Sequence, residues 1–120
     1  MKKKIVICDD DVLILEVLNM ALMSENNEII LTTDSKGLIA LIDQVEPNLL
    51  LLDLQMPWMQ GDDIVRELRS SERYNRLRII MMSASTQGKL TAESCGADAF
   101  LSKPFELDDL FFLVRKMMTL

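Results

Sequence analysis

Among the 120 residues there is no histidine. That absence removes His-based catalytic triads and zinc sites of the Cys/His type, and the chain cannot pass a phosphoryl group through a histidine of its own. Cysteine is nearly as scarce. Cys8 sits in the first apolar run and reads as a small core residue, while Cys95 stands alone before Gly96. Two isolated thiols make neither a disulfide framework nor a metal cluster, and the cytoplasm is the natural compartment. Positive charge is also in short supply: thirteen Lys and Arg face nineteen Asp and Glu, for a net charge of -6. That balance argues against non-specific binding to nucleic acid. The one basic run, residues 2–4, precedes only four apolar residues, too few for a signal-peptide core or a membrane span. Such lysines ordinarily keep a terminus soluble. Linkers, repeats and low-complexity stretches are missing too, so residues 1–120 are expected to form one domain with no output domain. Met1 and the early first strand suit a natural amino terminus.

What is present is a series of short apolar runs, at 5–8, 29–31, 49–52, 79–82 and 99–101. Helical spacing fills the gaps between them. Asp11 can cap a first helix with Val12, Leu15, Leu18 or Asn19, and Leu22 near one face. Asp34 or Ser35 can cap a second, carrying Leu38, Leu41, Ile42 and Val45 inward and stopped by Pro47. A third runs from about 61 to 70 with Ile64, Val65 and Leu68 inward, and a fourth, short and poorly patterned, spans about 89–95. The last follows Pro104, with Leu107, Leu110, Phe111, Val114, Met117 and Met118 in a broad stripe. Together with Phe112 this stripe is more apolar than one sheet face needs, a hint of self-association or docking. Strands that are continuously apolar rather than alternating imply a parallel sheet covered on both faces. The fold class expected is therefore α/β: five parallel strands, doubly wound, in a (βα)5 array.

In such a sheet the functional crevice lies beyond the carboxyl ends of the strands. Strand one ends in Asp9, Asp10 and Asp11, strand three in Asp53, strand four in Ser83 and Ser85, and strand five leads to Lys103. A lone acid after a strand is ordinarily a cap or a surface residue, and Asp11 is assigned that role. Several acids converging on one crevice repel one another, and a hard divalent cation relieves them; Mg²⁺, with Mn²⁺ able to substitute, takes oxygen ligands and pairs with phosphates. A compact ammonium and a hydroxyl beside them complete a phosphoryl-handling site. Asp53 is placed to attack phosphorus, and Asp10, with Asp9 beside it or bridging through water, to hold the metal. The Gln55 carbonyl is a further candidate ligand.

The ordered set "DD" at Asp9 and Asp10, "DLQMPWMQG" from Asp53, "SAS" from Ser83 and "GADAFLSKPF" ending at Phe105 resembles the receiver domain of two-component response regulators over the whole chain. The resemblance implies a flavodoxin-like strand order 2-1-3-4-5. It makes Asp53 the phosphoacceptor, gives Mg²⁺ to Asp10, Asp53 and the Gln55 carbonyl, and sets Ser83 and Lys103 on the phosphoryl group. Phe100 falls at the aromatic switch position, its ring moving inward as the Ser83 hydroxyl turns toward the phosphate. A Tyr is common there, so a Phe works by packing without a phenolic hydrogen bond. The implied function is a signalling switch loaded by a histidine kinase or a histidine phosphotransfer protein. It would catalyse its own transfer and slow autodephosphorylation rather than turn over an external substrate. Gln55 and Ser85 stand where they would tune water access. About two residues fewer than usual separate Ser83 from Gly96, so a shortened fourth helix or preceding loop is expected. Downstream, the implied partner is a protein target or a second copy, with neither nucleic acid nor membrane.

Three other readings compete with this one. A hydrolase with an Asp nucleophile needs a second acid two residues on, where this chain has Gln55. A binding module with a relic pocket would not need the full set of Asp9, Asp10, Ser83 and Lys103. The chain also fits a receiver excised from a hybrid kinase or a transcription regulator. Trp58 and Met59, in the loop after Asp53, suit a partner surface or a cover for the sheet edge.

Overall fold

Continuously apolar strands can be buried only if helices cover both faces of the sheet, and the computed structural model, which describes residues 2–57 and 59–119, has that arrangement. In chain order the elements are β1 (Lys3–Cys8), α1 (Val12–Leu22), β2 (Asn27–Thr32), α2 (Leu38–Val45), β3 (Leu49–Asp53), α3 (Gly61–Arg69), a 3-10 turn (Glu72–Tyr74), β4 (Arg78–Ser83), α4 (Gly88–Cys95), β5 (Ala99–Ser102) and α5 (Leu107–Met118). All strand pairs are parallel, in the order β2-β1-β3-β4-β5. The expected order and the expected number of helices both hold.

Alternate residues of each strand feed two separate cores. Ile5, Ile7, Leu49, Leu51, Ile80 and Met82 pack with α1 and α5, while Val6, Cys8, Leu50, Leu52, Ile79 and Met81 pack with α2, α3 and α4. The twelve are fully buried, and each such side chain contributes about 1.5–3 kcal/mol relative to exposure.

The helices depart from expectation at their ends. Asp11 caps α1, its Oδ1 accepting from the Leu13 N–H at 2.9 Å, but Val12 points outward, 56% exposed, because it belongs to the first turn. In α2 the N-cap is Gly37, without a side-chain bond; Asp34 instead accepts from the Gly37 N–H at 3.1 Å, and the buried Ser35 hydroxyl has no hydrogen-bond partner among the described residues. Ile64, Val65 and Leu68 are buried on α3 as predicted. In α5, Leu110, Val114 and Met117 are buried, whereas Leu107 and Phe112 are exposed. The fourth helix is short, with eight residues.

Arg69, at the end of α3, ties the α3–β4 connection to the α4–β5 connection. Its Nε donates to the Gly96 carbonyl at 2.9 Å, and one terminal nitrogen donates to the Tyr74 and Leu77 carbonyls at 2.8 and 2.9 Å. The other terminal nitrogen meets Asp98 at 2.7 Å, and Asp98 in turn accepts from the Ile79 N–H at 2.8 Å. Only a planar fork of donors reaches all four acceptors. Arg69→Ala should lower the unfolding free energy in urea by about 2–4 kcal/mol, through four lost bonds and unpaired carbonyls. Arg69→Lys should recover less than half; full recovery by lysine would show that charge alone matters.

Candidate functional site

Strand register builds the site before any loop is considered. Cys8 lies opposite Leu52, so the residue after β1, Asp9, emerges beside Asp53. Asp53 lies opposite Met82 and Ser83 opposite Ser102, which sets Ser83 and Lys103 one step further across the sheet. The strand order reverses between β1 and β3, the position where open α/β sheets form a crevice.

The site carries dense charge, most of it buried. Asp9 is fully buried and Asp53 is 5% exposed, while Asp10 is open to solvent. Carboxylate oxygens of Asp9, Asp10 and Asp53 all lie within 4.8 Å of one another. Lys103 Nζ reaches Asp9 Oδ2 at 2.6 Å and Asp53 Oδ1 at 3.3 Å. The second Asp9 oxygen accepts from the Asp11 N–H at 2.9 Å, so the residue that caps α1 also fixes a site carboxylate. Burial, followed by the Asp9 charge, pushes the Asp53 carboxyl up to about 6, although Lys103 pulls it the other way. Burial alone would lower the Lys103 ammonium; its hydrogen bond to Asp9 and the Asp53 charge outweigh that and raise it. The same acids add to burial in driving the Cys8 thiol up to about 12, so Cys8 stays a neutral core thiol, its sulfur 3.6 Å from that of Met56.

The hydroxyls are also placed by local bonds. Ser83, nearly fully buried, accepts from the Ser85 N–H at 3.0 Å, and the Ser85 hydroxyl accepts from the Gln87 N–H at 3.1 Å. The Ser83 carbonyl accepts from the Lys103 N–H at 2.9 Å, which joins the two residues through the backbone as well. Gln55 lies exposed in the loop after β3. That loop is closed by the Gly61 N–H on the Leu54 carbonyl at 2.8 Å, and a Cβ on Gly61 would stand 2.5 Å from the Asp53 carbonyl oxygen. Glycine is therefore what lets α3 begin against the backbone of Asp53. Met59 packs on the core, and Trp58 lies outside the described residues. The peptide joining Lys103 to Pro104 is cis.

One residue escaped the sequence reading. The partly buried Phe100 ring stands beside Ser83 across the bare Cα of Gly88. A Cβ there would be 2.8 Å from Ser83 Cβ and 2.9 Å from two ring carbons. A glycine in the first turn of α4 was its only trace in the sequence.

Two outcomes follow from this geometry. With its folded pKa near 6 against an ordinary 3.8, Asp53 costs stability once ionised: the loss begins near pH 4, is complete above pH 6, and is absent below both values. Asp53→Asn should thus stabilise the metal-free protein at pH 7.5 by roughly 1–3 kcal/mol in urea unfolding, and by much less at pH 4. A variant less stable than wild type at pH 7.5 would contradict the assignment. Gly88→Ala should expel the Phe100 ring, erase ring-to-Ser83 proton NOEs and lower stability by about 1–3 kcal/mol; unchanged NOEs would mean the helix, not the ring, gives way.

The model of the response regulator receiver domain family matches residues 5–115. The DNA-binding response regulator MtrA of Mycobacterium tuberculosis is 33% identical over 118 residues, covering 96% of this chain and 50% of that protein. The chain spans about half the length of the curated relatives it matches. Among solved structures, a response regulator signal receiver domain from Bermanella marisrubri superposes with a TM-score of 0.87 at 28% identity, covering 98% of this chain and 99% of that one. The receiver domain of the sensor histidine kinase PA1611 from Pseudomonas aeruginosa, solved with magnesium in its active-site cleft, gives 0.89 at 22% with full coverage of both chains. On the extent of the family match, this chain belongs to the response regulator receiver domains of two-component signalling.

Proposed function

We propose that the domain is a phosphorylation-controlled switch that takes a phosphoryl group onto Asp53. The observation that carries this is the cluster itself: a buried carboxylate 3.3 Å from a lysine ammonium, within 4.8 Å of two further acids. Asp9, Asp10 and Asp53 offer the hard oxygen donors that suit Mg²⁺, with the Gln55 carbonyl as a further ligand. The magnesium in the PA1611 receiver supports that reading. When bound, the metal supplies positive charge to the phosphoryl oxygens and relieves the acids of their mutual repulsion.

The chain's own residues do the rest. An Asp53 oxygen attacks phosphorus of a phosphohistidine on a kinase or phosphotransfer partner; the P–N bond breaks, and the imidazole nitrogen keeps the electron pair. Lys103 stays within reach of the new acyl phosphate and neutralises charge on its oxygens. Ser83 accepts one backbone hydrogen bond and retains its own proton, free to donate to the same group. Rotation of that hydroxyl leaves space beside Ser83 for the Phe100 ring to settle, and the two ring positions are the two signalling states. Phosphorylation moves the equilibrium only as far as it favours one of them. Water attack on phosphorus, with Gln55 and Ser85 at the rim, returns inorganic phosphate and the free carboxylate.

This switch acts in the cytoplasm, through a protein target or a second copy. The exposed Phe112 and Leu107 on α5 are available for that contact. No helix among the described residues is long and apolar enough to cross a membrane. The lengths and names of the curated relatives support a role as the input half of a transcription regulator, and PA1611 offers the hybrid-kinase setting as a parallel.

Intact-mass spectrometry after incubation with a small acyl phosphate and Mg²⁺ tests the reading. Wild type should gain one phosphoryl group, and none should appear on Asp53→Asn or after prior chelation of the metal. Stoichiometric labelling of the Asn variant would move the acceptor elsewhere.

A further inference from the structure

The two ends of the sheet differ in charge. Asp9, Asp10 and Asp53 occupy the carboxyl end, and at the amino ends of β1, β3 and β4 lies a second concavity of about 280 Å³. Lys3, Arg73, Arg76 and Arg78 line it, and Glu46 is the one carboxylate among its lining residues. An adjoining hollow shares Lys3 and Glu46 and adds Lys2 and Lys4. Six of the thirteen cationic side chains of a chain with net charge -6 thus gather at one end.

These cations are unequal. Arg73 is already engaged, donating to the Asp43 carbonyl at 2.7 Å and to Glu46 at 3.0 Å, with its guanidinium 5.4 Å from the Tyr74 ring centre. Arg78 lies 3.5 Å from Asp98. Lys3 and Arg76 make no ion pair or side-chain hydrogen bond among the described residues. Two ion-paired guanidinium groups therefore share the lining of this space with two cations that have no such partner among the described residues. Gathering like charges costs self-repulsion that a bound anion removes, and guanidinium matches phosphate oxygens in pairs. Leu77 and Met117 give the remaining wall an apolar part, with Asn48 beside them. A concave, part-apolar hollow near the small end of the usual ligand-pocket range of about 300–1,000 Å³ suits a small molecule better than a flat polyanionic surface.

We propose that this cavity binds a small phosphate-bearing anion, at the end of the sheet opposite Asp53 and independently of phosphoryl transfer. Lys3 and Arg76 take the phosphate, Arg73 and Arg78 set the field around it, and Leu77 and Met117 hold any apolar part of the ligand.

The test is an amide NMR titration of the whole chain with inorganic pyrophosphate, and separately with adenosine diphosphate, in chelator and 150 mM salt so that no metal occupies the acid site. Saturable shifts at Lys3, Asn48, Arg76 and Leu77 are expected, weakened at least tenfold in the double variant Lys3→Ala, Arg76→Ala. Both residues are exposed, so the variant's remaining spectrum should be unchanged. Equal affinities, or tighter binding of pyrophosphate, would assign the site to phosphate alone, and tighter binding of adenosine diphosphate would add the apolar wall to recognition. Shifts that do not saturate, that centre on Lys103, or that survive the double substitution would overturn the proposal. So would binding to duplex DNA or anionic vesicles without any saturable response to the small anions.

Discussion

The Lys103 ammonium, 2.6 Å from Asp9 and 3.3 Å from Asp53, is what allows three acids to share the end of a buried sheet. Charges of one sign at this spacing cannot all be desolvated without a counter-charge. The compensation is incomplete, as the raised carboxyl of Asp53 shows. Asp9 is the better-satisfied partner, with one oxygen on Lys103 and the other on the Asp11 N–H. Asp53 keeps the longer contact and remains the acid most in need of a cation. A resting site held under that tension favours whatever brings positive charge to Asp53, or changes what Asp53 carries.

The scaffold supplies position without help from long loops. Because the strands are parallel and in register, the residue after β1 and the last residue of β3 stand side by side, and the residue after β5 is joined to the end of β4 by a backbone hydrogen bond. Two apolar cores, one on each face, fix the strands against sliding. Arg69 secures the α3, β4 and α4–β5 connections at the far end of that layer. The site therefore inherits the rigidity of the sheet, because the backbone positions of Asp9, Asp53, Ser83 and Lys103 are set by strand register and by the bond between β4 and the residue after β5.

Strand positions, helix order and the acid cluster were legible because their signals are strong and local: runs such as Leu49 to Leu52 have no exposed residue to confuse them, and the acids stand immediately after such runs. Helix starts were less legible. Asp34 and Ser35 both fit the pattern of a cap, yet Asp34 braces the turn before Gly37 rather than the helix itself, since both uses present a side-chain oxygen to a nearby N–H. Val12 and Leu107 satisfy the apolar period but sit in first turns that overhang the core. The clearance at Gly88 could not be read from spacing at all, because it depends on β5 laying an aromatic ring across the start of α4. Long-range steric fit leaves no periodic trace.

The separation of charge along the strands gives the molecule a permanent dipole moment, negative where β1 and β3 end and positive where β1 and β4 begin, across a body whose principal extents are 32, 31 and 26 Å. A dipole in a non-uniform field feels a torque as well as a force. A partner with a positive docking face would turn the acid end toward itself during approach, before any side chain touches. The single phosphoryl group proposed for Asp53 would enlarge that moment, so the two forms would present different orientations to the same partner from a distance, within the range that salt leaves unscreened.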